Sequence, residues 1–330
     1  MSRVTSPQTR KWSILSSARR GAIEVLLVAA LAVLGPAVWF AWSTVNELTQ
    51  EIEAGRLRLA RLAATQADRV VTETFFELEL MAQFVGLETD KLPLQSQVAS
   101  LRTIYARAAS FHSGALLLDA DGDIVVEEPP GRLRGLNLGR VIASVSNASD
   151  RAISEPWIDP ASGHAIAALS LPIFSPDGSR VGSMVGLLDL AEPLVSDLIL
   201  PAARLGLSGH ADLVDERGTV LASTEPGQVL TPGDHPDFYA RAALDRAPRV
   251  ETVDHSPEPN SLDQSTRHVM AYASLQNAPW GVAMGASEKE TMEPVRRLRL
   301  RLLVLALASS VTLLLVTALA VRHIPSREDG

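Results

Sequence analysis

The amino-acid sequence predicts an α+β protein in which a long N-terminal helix precedes two tandem antiparallel-sheet modules, with a transmembrane helix on either side. Three observations predict this arrangement. Apolar stretches occur near both ends of the chain, residues 46–86 contain no proline, and one strand–turn–strand pattern occurs twice. We therefore expect seven segments, at 1–21, 22–45, 46–110, 111–200, 201–295, 296–322 and 323–330.

The second and sixth of these segments are the predicted transmembrane helices. Residues 302–321 carry no charge, and at about 1.5 Å per residue they span the roughly 30 Å hydrocarbon layer of a bilayer. Residues 22–42 end in Trp39 and Trp42, which suit an interfacial aromatic belt. A cleaved signal peptide is the competing interpretation of this first stretch.

Charge predicts the orientation of the two spans. The first twenty residues contain five basic side chains and no acid, a bias that places the N-terminus in the cytoplasm. Two spans then return the C-terminus to the cytoplasm. We expect a two-pass protein of the cell inner (plasma) membrane with residues 46–297 extracytoplasmic and short cytoplasmic tails at 1–21 and 323–330.

The third segment, 46–110, is a predicted stalk with packing helices. Large apolar residues follow a heptad seam that several polar residues interrupt: Leu48, Ile52, Leu59, Leu62, Phe76, Leu80 and Leu87. Such a seam suits a helix packed on its own domain or on a twin in a homodimer. Pro93 ends this pattern, and residues 94–109 predict a second helix.

The fourth and fifth segments each begin with a predicted β-hairpin. An apolar strand, a turn rich in aspartate and glycine, and a second apolar strand follow one another from Ala115 and again from Asp212. The same offset separates Asp119 from Asp215 and Gly122 from Gly218. More strands follow in each half, so we expect two similar α+β modules that arose by duplication.

Composition excludes several classes of function. The 330 residues have a formal net charge of −8 and no cysteine, which excludes disulfides and thiolate sites and argues against nucleic-acid binding. No hydrolase, phosphate-loop or zinc-protease motif is present, so we expect no enzyme and no cofactor. His210 with Asp212 and His235 with Asp237 could begin a metal site, but without an evident third ligand we expect none.

Several segments together resemble the double Cache extracytoplasmic sensor domains of bacterial membrane receptors, over about residues 46–290. The segments that carry the resemblance are GALLLDADGDI from 114, LPIFSPDG from 171, VGSMVGLLDL from 181, LVDERGTVLAST from 213, HPDFY from 235, and MAYASL from 270 followed by PWGVA from 279. The resemblance implies two PAS-like modules, the first membrane-distal and the second membrane-proximal.

The resemblance also implies a small-molecule ligand in the distal module. Asp189 matches a late-strand aspartate that meets the ammonium group in amino-acid-binding members, and Trp157 matches a pocket tryptophan. The Arg and Tyr that accompany this Trp in such members are missing here, so an amino-acid ligand is in doubt. His164, Arg134 and Asn137 are further candidate contacts. A strand-end role for Asp189 and core packing for Trp157 remain the structural alternatives.

The sequence therefore predicts a sensor that passes a conformational signal through the second transmembrane helix. Only a short tail follows that helix, so we expect a separate or missing output domain. The expected partners are the unknown ligand, the lipid bilayer, a second copy in a homodimer and a cytoplasmic signalling protein. The alternative is a membrane-tethered module that binds a solute or a protein without signalling.

Overall fold

The computed structural model describes residues 7–86, 94–131, 145, 150–191, 207–225, 227–254 and 267–322. Its helices are α1 (Pro7–Gly86), α2 (Leu94–Tyr105), α3 (Pro236–Asp245), α4 (Glu288–Thr291) and α5 (Glu293–Arg322). The chain divides into two compact units, one of Met1–Ile52 with Met292–Gly330 and the other of Glu53–Thr291.

Eleven strands lie in the described part of the second unit. Those of the distal module are β1 (Ala115–Asp119), β2 (Ile124–Glu128), β3 (Ala152–Ile153), β4 (Trp157–Ile158), β5 (Ala165–Phe174) and β6 (Arg180–Asp189). Those of the proximal module are β7 (His210–Asp215), β8 (Val220–Ser223), β9 (Arg249–Asp254), β10 (Arg267–Ser274) and β11 (Trp280–Ser287).

The two sheets follow the same path. The distal order is β2-β1-β6-β5-β3, with β4 also paired to β5, and the proximal order is β8-β7-β11-β10-β9. All pairings are antiparallel. The prediction of an α+β fold with a long N-terminal helix and two antiparallel sheets is confirmed.

The two opening hairpins are built alike. Asp119 Oδ1 accepts hydrogen bonds from the backbone N–H groups of Asp121 and Asp123 at 3.0 and 2.9 Å. Asp215 Oδ1 accepts the equivalent bonds from Arg217 and Thr219 at 2.9 and 2.7 Å. Gly122 and Gly218 adopt φ of 89° and 82°, a conformation that glycine adopts without steric cost.

The buried face of α1 is made largely of small residues. The fully buried positions of this helix include Ala60, Thr74 and Leu78. The buried positions are spaced three or four residues apart, so they form one stripe along the helix. The buried apolar members of the stripe are Ala60, Ala63, Ala64, Ala67, Val71, Phe75, Leu78, Met81 and Ala82. Small side chains let both sheets approach the helix backbone closely.

The predicted heptad seam of α1 lies on a different face. Leu59, Leu62, Phe76 and Leu80 are 41, 56, 59 and 43% exposed, and Leu87 lies outside the described residues. Packing of this seam on its own domain, the first of the two alternatives, is therefore wrong. The large apolar residues of the seam gave the clearest heptad pattern in the sequence. The buried face of α1 is instead formed mainly by alanines, which do not stand out as a hydrophobic pattern.

One apolar core joins α1 to both sheets. A single cluster of buried side chains contains Leu78 of α1, Leu101 of α2, Leu169 and Met184 of the distal sheet, and Leu213 of the proximal sheet. Each sheet also buries its opposite face in a smaller cluster of its own. Each module thus has a face toward α1 and a face that α1 does not cover.

The C-terminal helix fits one of the two predicted membrane spans. Among the described residues, Glu293–Leu319 is long and apolar enough to cross a membrane. The first predicted span, 22–45, lies within α1, which continues through Pro36 without a break. Trp39 and Trp42 are 66 and 64% exposed, and the side chains of 22–27, 29–31, 33 and 34 lie outside the described part of the chain.

Candidate functional site

Three residues of the distal sheet form a row on the face that α1 does not cover. Trp157 of β4 is directly opposite Ile166 of β5, and Ile166 is directly opposite Asp189 of β6. Residues opposite one another in an antiparallel sheet point to the same face. Strand pairing therefore brings Trp157 and Asp189, two of the predicted ligand contacts, onto one surface.

Asp189 is a buried carboxylate, only 6% exposed. Its Oδ1 accepts a hydrogen bond from the backbone N–H of Ala191 at 2.9 Å, and its Oδ2 lies 2.8 Å from His164 Nδ1. The His164 side chain is 48% exposed. The buried Asp189 carboxylate therefore has one partner that is a backbone N–H group and a second partner, the His164 side chain, that is half exposed to solvent.

Trp157 carries a buried polar atom without a partner. Its indole ring packs against the apolar cluster of this sheet face, beside residues such as Ile166 and Leu187. Its Nε1–H is buried and has no hydrogen-bond acceptor among the described residues. A donor in this state costs free energy until it finds an acceptor.

The turn before β5 positions His164. Asp159, 1% exposed, accepts hydrogen bonds from the Ser162 backbone N–H at 3.1 Å and from the Ser162 hydroxyl at 2.8 Å. The Asp159 backbone N–H donates to the His164 carbonyl at 2.8 Å. Asp159 holds the turn that presents His164, a positioning role that the sequence alone did not assign.

The remaining two predicted contacts, Arg134 and Asn137, lie outside the described residues. Within the described part of the distal module, Val145 belongs to the apolar cluster on the face that carries Trp157 and Asp189, and Trp157 packs against that cluster.

The proximal module carries a denser polar cluster on the equivalent face. His210, His235 and His268 are each at most 2% exposed, and a nitrogen from each lies within 4.8 Å of a nitrogen of the others. His235 was predicted as half of a sequence pair with Asp237, and His210 as half of a pair with Asp212. The structure instead joins the two histidines to His268, which local spacing could not reveal.

Asp212 lies beside this cluster as a second buried carboxylate. It accepts hydrogen bonds from the Ser223 hydroxyl at 2.6 Å and from the Tyr239 hydroxyl. Burial raises the pKa of the Asp212 carboxyl, and the charge of His210 and the two hydroxyls partly oppose that rise. Burial also raises the pKa of Tyr239, and the nearby Asp212 raises it further.

A separate groove of about 460 Å³ lies between α1 and α2. Its walls include Leu80 and Phe84 of α1 and Thr103 and Ile104 of α2. Arg107 and Ala108, which follow α2, complete its lining, and the groove is separate from the row that contains Trp157 and Asp189. Leu80 and Phe84 also belong to the exposed side of α1.

Solved structures with the same fold are ligand-binding domains of bacterial receptors. The domain of the Pseudomonas fluorescens chemoreceptor CtaA with L-leucine has a TM-score of 0.53 and 17% identity, covering 75% of this chain and 99% of that chain. The domain of the Pseudomonas aeruginosa PAO1 amino acid chemoreceptor PctB with L-Gln has a TM-score of 0.53 and 17% identity, covering 71% and 90%.

An extracellular ligand binding receptor from Desulfohalobium retbaense is similar at a TM-score of 0.52 and 15% identity, covering 69% of this chain and 39% of that chain. The present chain thus spans well under half the length of that receptor. No curated protein sequence matches the chain significantly. The model of the Cache domain family matches residues 44–295, which confirms the resemblance drawn from the sequence, and the chain therefore belongs to the Cache domain family.

Proposed function

We propose that this chain is a membrane-bound extracytoplasmic sensor whose distal module binds a small molecule. Membership of the Cache domain family over residues 44–295 supports a ligand-sensing role. The similar chemoreceptor domains are described as complexes with L-leucine and L-Gln. The chain acts by binding in this proposal, not by catalysis.

The observation that carries the proposal is the row of Trp157, Ile166 and Asp189. A carboxylate 6% exposed on a largely apolar sheet face is costly unless a cation or a donor meets it. The indole Nε1–H beside it needs an acceptor. A small molecule with a protonated nitrogen and a nearby acceptor atom would satisfy both groups, so we propose an amine-bearing metabolite as the ligand class.

His164 is the natural exchange partner in this site. It contacts Asp189 at 2.8 Å while its own side chain is 48% exposed. A ligand ammonium can take its place on Asp189 at little cost, since the displaced imidazole regains water. We propose that His164 holds the site closed before the ligand arrives and then moves aside.

The proposed topology has two membrane spans. The helix segment Glu293–Leu319 supports the second span, and the apolar stretch 22–45, with its basic flank, supports the first. Residues 46–297 then lie outside the inner membrane. The signal passes through α5 to an output domain on another chain or outside this sequence, by a helix shift of the order of an ångström or two.

The proximal module is tied to the last two residues of α4, next to α5 in the chain. Glu290 accepts hydrogen bonds from the Leu207 and Ser208 backbone N–H groups at 2.8 and 3.0 Å. Arg56 of α1, 7% exposed, donates from Nη2 to the Thr291 hydroxyl at 2.6 Å. These bonds give the proximal module a rigid link to the residues that precede the proposed span.

We further propose that the sensor is a homodimer through the outer face of α1. Exposed large side chains at a three-and-four spacing suit a coiled-coil contact with a second copy. They are Leu59, Leu62, Phe76, Leu80 and Phe84, and the last two also line the groove against α2. Because the chain has no cysteine, Leu62→Cys should give a disulfide-linked dimer in membranes under mild oxidation, whereas inward-facing Ala64→Cys should not.

The ligand proposal is tested on the full chain in detergent micelles. A panel of amines and amino acids is screened by thermal unfolding, with carboxylic acids of equal size as the comparison set. We expect an amine to raise Tm, and Asp189→Asn to remove the shift. Asp121→Asn, an exposed aspartate of the same module, should keep it. A shift that survives both Asp189→Asn and Trp157→Phe would contradict this site.

Signalling is tested separately from binding. The chain is fused after α5 to a reporter kinase, and output is measured with and without the amine identified in the screen. Ligand-dependent output that disappears in Asp189→Asn is expected of a sensor. Binding with constant output would instead favour the membrane-tethered binding module without signalling.

A further inference from the structure

The three histidines of the proximal module come from three separate elements. His210 is the first residue of β7, His268 lies near the start of β10, and His235 directly precedes α3. All three are at most 2% exposed, and their candidate ligand nitrogens lie within 4.8 Å of one another. We propose that His210, His235 and His268 form a binding site for one divalent transition metal ion.

Strand register sets two of the ligands on one face. His210 is opposite Gly285 of β11, and His268 is opposite Ser287 of the same strand. Gly285 and Ser287 are two residues apart, so both histidines point to the same side of the sheet. That side is the one that α3 covers, because Phe238 and Tyr239 of α3 belong to the same buried cluster as Met270. His235 reaches the histidines from the covering side.

Hydrogen bonding prepares His235 as a ligand. Its Nδ1 lies 3.2 Å from the Asp254 carbonyl oxygen, and since a carbonyl only accepts, Nδ1–H is the donor. Nε2 of the neutral ring therefore carries a lone pair directed into the cluster. A backbone carbonyl that fixes the tautomer of a histidine in this way is the usual outer contact of a metal-bound imidazole.

The spacing of one nitrogen pair is close to that expected around a metal of small radius. His235 Nε2 and His268 Nδ1 lie 3.1 Å apart. Two nitrogens at bond lengths of about 2.0–2.1 Å on a tetrahedral zinc ion are separated by roughly 3.3 Å. In the metal-free neutral pair His268 Nδ1–H donates to His235 Nε2, and binding of a metal through Nδ1 requires the other neutral tautomer of His268, with its proton on Nε2.

His210 supplies the most direct indication that something else binds here. Both of its ring nitrogens are buried, and neither has a hydrogen-bond partner among the described residues. A buried imidazole in this state has lost the hydration of two polar atoms and has formed no hydrogen bond in its place, which destabilises the fold. A metal ion at the centre of the cluster would give one of these nitrogens a bond.

The surroundings favour a cation and a borderline metal. Asp212 lies two residues along β7 on the same face, and its buried carboxylate is held by Ser223 and Tyr239. Three imidazoles without a thiolate suit Zn²⁺, Ni²⁺, Cu²⁺ or Co²⁺ in preference to Mg²⁺ or Ca²⁺, and three protein ligands leave one position for water.

Gly285 makes room for this arrangement. A Cβ at Gly285 would clash with Met270 Sδ and would lie 3.1 Å from His210 Cε1. Only glycine lets the imidazole and the thioether occupy this part of the face together. A metal bound to β7, β10 and the start of α3 would clamp the helix onto its sheet, so we expect the ion to stabilise the proximal module.

The test uses the full chain in detergent, purified with an affinity tag that contains no histidine and stripped with a chelator. ZnCl₂ is added, unbound metal is removed by gel filtration, and zinc per chain is measured by elemental analysis. We expect one zinc per chain and a Tm that rises with zinc concentration. His268→Gln and His210→Gln should each lower zinc affinity at least tenfold, whereas exposed His112→Gln and His164→Gln should not.

Cobalt substitution keeps the test decisive if the cluster variants fail to fold. Wild-type chain loaded with Co²⁺ should give the intense visible absorption of a low-coordinate ion with nitrogen ligands, at one cobalt per chain. A spectrum like that of aqueous Co²⁺, absence of bound zinc, or a zinc effect that persists in both His268→Gln and His210→Gln would overturn the proposal. The zinc effect should persist in Asp189→Asn, which separates it from the distal site.

Discussion

On the face that α1 does not cover, the distal strand path β2-β1-β6-β5-β3 carries the buried acid Asp189, whose histidine partner is half in solvent. In the proximal module the equivalent path β8-β7-β11-β10-β9 carries two buried histidines and a buried acid beneath α3, and a third buried histidine, His235, directly precedes that helix. The two sites lie at equivalent positions of the sheets. Asp119 is opposite Gly182 and Asp215 is opposite Trp280, and seven residues further along these strands lie Asp189 and Ser287, of which Ser287 is opposite His268. One fold therefore supports two unlike polar sites, because the chemistry depends on a few side chains and not on the sheet.

The largest expected effect tests whether the two modules share one core. Leu78 of α1 is fully buried in the cluster that joins both sheets, so Leu78→Ala should lower the free energy of unfolding by about 2–5 kcal/mol. Both modules should unfold in a single shifted transition in urea. Leu244→Ala, 81% exposed on α3, should change stability by about 0.5 kcal/mol or less. Two separate transitions in the wild type would show that the modules are independent.

The next effect tests the close packing specific to the distal module. A Cβ at Gly186 would overlap the Phe111 ring, so Gly186→Ala should cost about 1–3 kcal/mol through overpacking. The matched control is Gly55→Ala in α1, where the nearest atom lies 3.9 Å from the new Cβ. That change should be neutral or stabilise the helix by up to about 1 kcal/mol. Equal costs at the two glycines would contradict the packing explanation.

A smaller effect concerns the proximal module and pH. The hydrogen bonds from Ser208 and Leu207 lower the pKa of Glu290 below its ordinary value. Its contribution is therefore present above the ordinary carboxyl pKa and is lost as pH falls through the lowered value. Glu290→Gln should cost on the order of 1 kcal/mol at pH 7 and should flatten the loss of stability on acidification. Glu216→Gln, an exposed acid, should leave the pH profile unchanged.

The smallest effect concerns the direct contact between the modules. Arg217 Nη2 of the proximal hairpin lies 2.6 Å from Glu155 Oε1 of the distal module, and both side chains are mostly exposed. Exposed ion pairs contribute about 0–1 kcal/mol and are screened by salt. Arg217→Gln should therefore change Tm only slightly, and the change should vanish in high salt. A large, salt-independent loss would mean that this contact holds the modules together.

The sequence predicted the longer strands well where they are apolar runs bounded by turn residues, whereas β9, with the sequence RVETVD, and the two-residue strands β3 and β4 lack that signal. The Asp119 and Asp215 turns, for example, lie where their aspartate and glycine spacing predicts. It did not identify the core face of α1, since Leu62 and Phe76 gave a stronger periodic signal than the buried alanines, and the contact of that seam with a second copy stays a prediction. Size alone does not identify the face of a helix that packs closely on two sheets.

The sites were predictable only in part, for a physical reason. Trp157 and Asp189 could be proposed from a family resemblance, but their placement in one row depends on the pairing of three strands. His268 could not be proposed at all, because it meets His210 and His235 only through the register of β10 with β11 and the position of α3. Long-range pairing leaves no trace in local spacing.

The account as a whole depends on both modules lying outside the inner membrane, and the cysteine-free chain allows a direct measurement. Three variants are made, each with a single cysteine: Ser175→Cys in the distal module, Glu216→Cys in the proximal module and Ser326→Cys in the C-terminal tail. Cells that express each variant have their outer envelope made permeable, their inner membrane is kept intact, and they are treated with a membrane-impermeant maleimide. We predict that Ser175→Cys and Glu216→Cys label before lysis and that Ser326→Cys labels only after it. Labelling of both modules only after lysis would contradict the extracytoplasmic sensor.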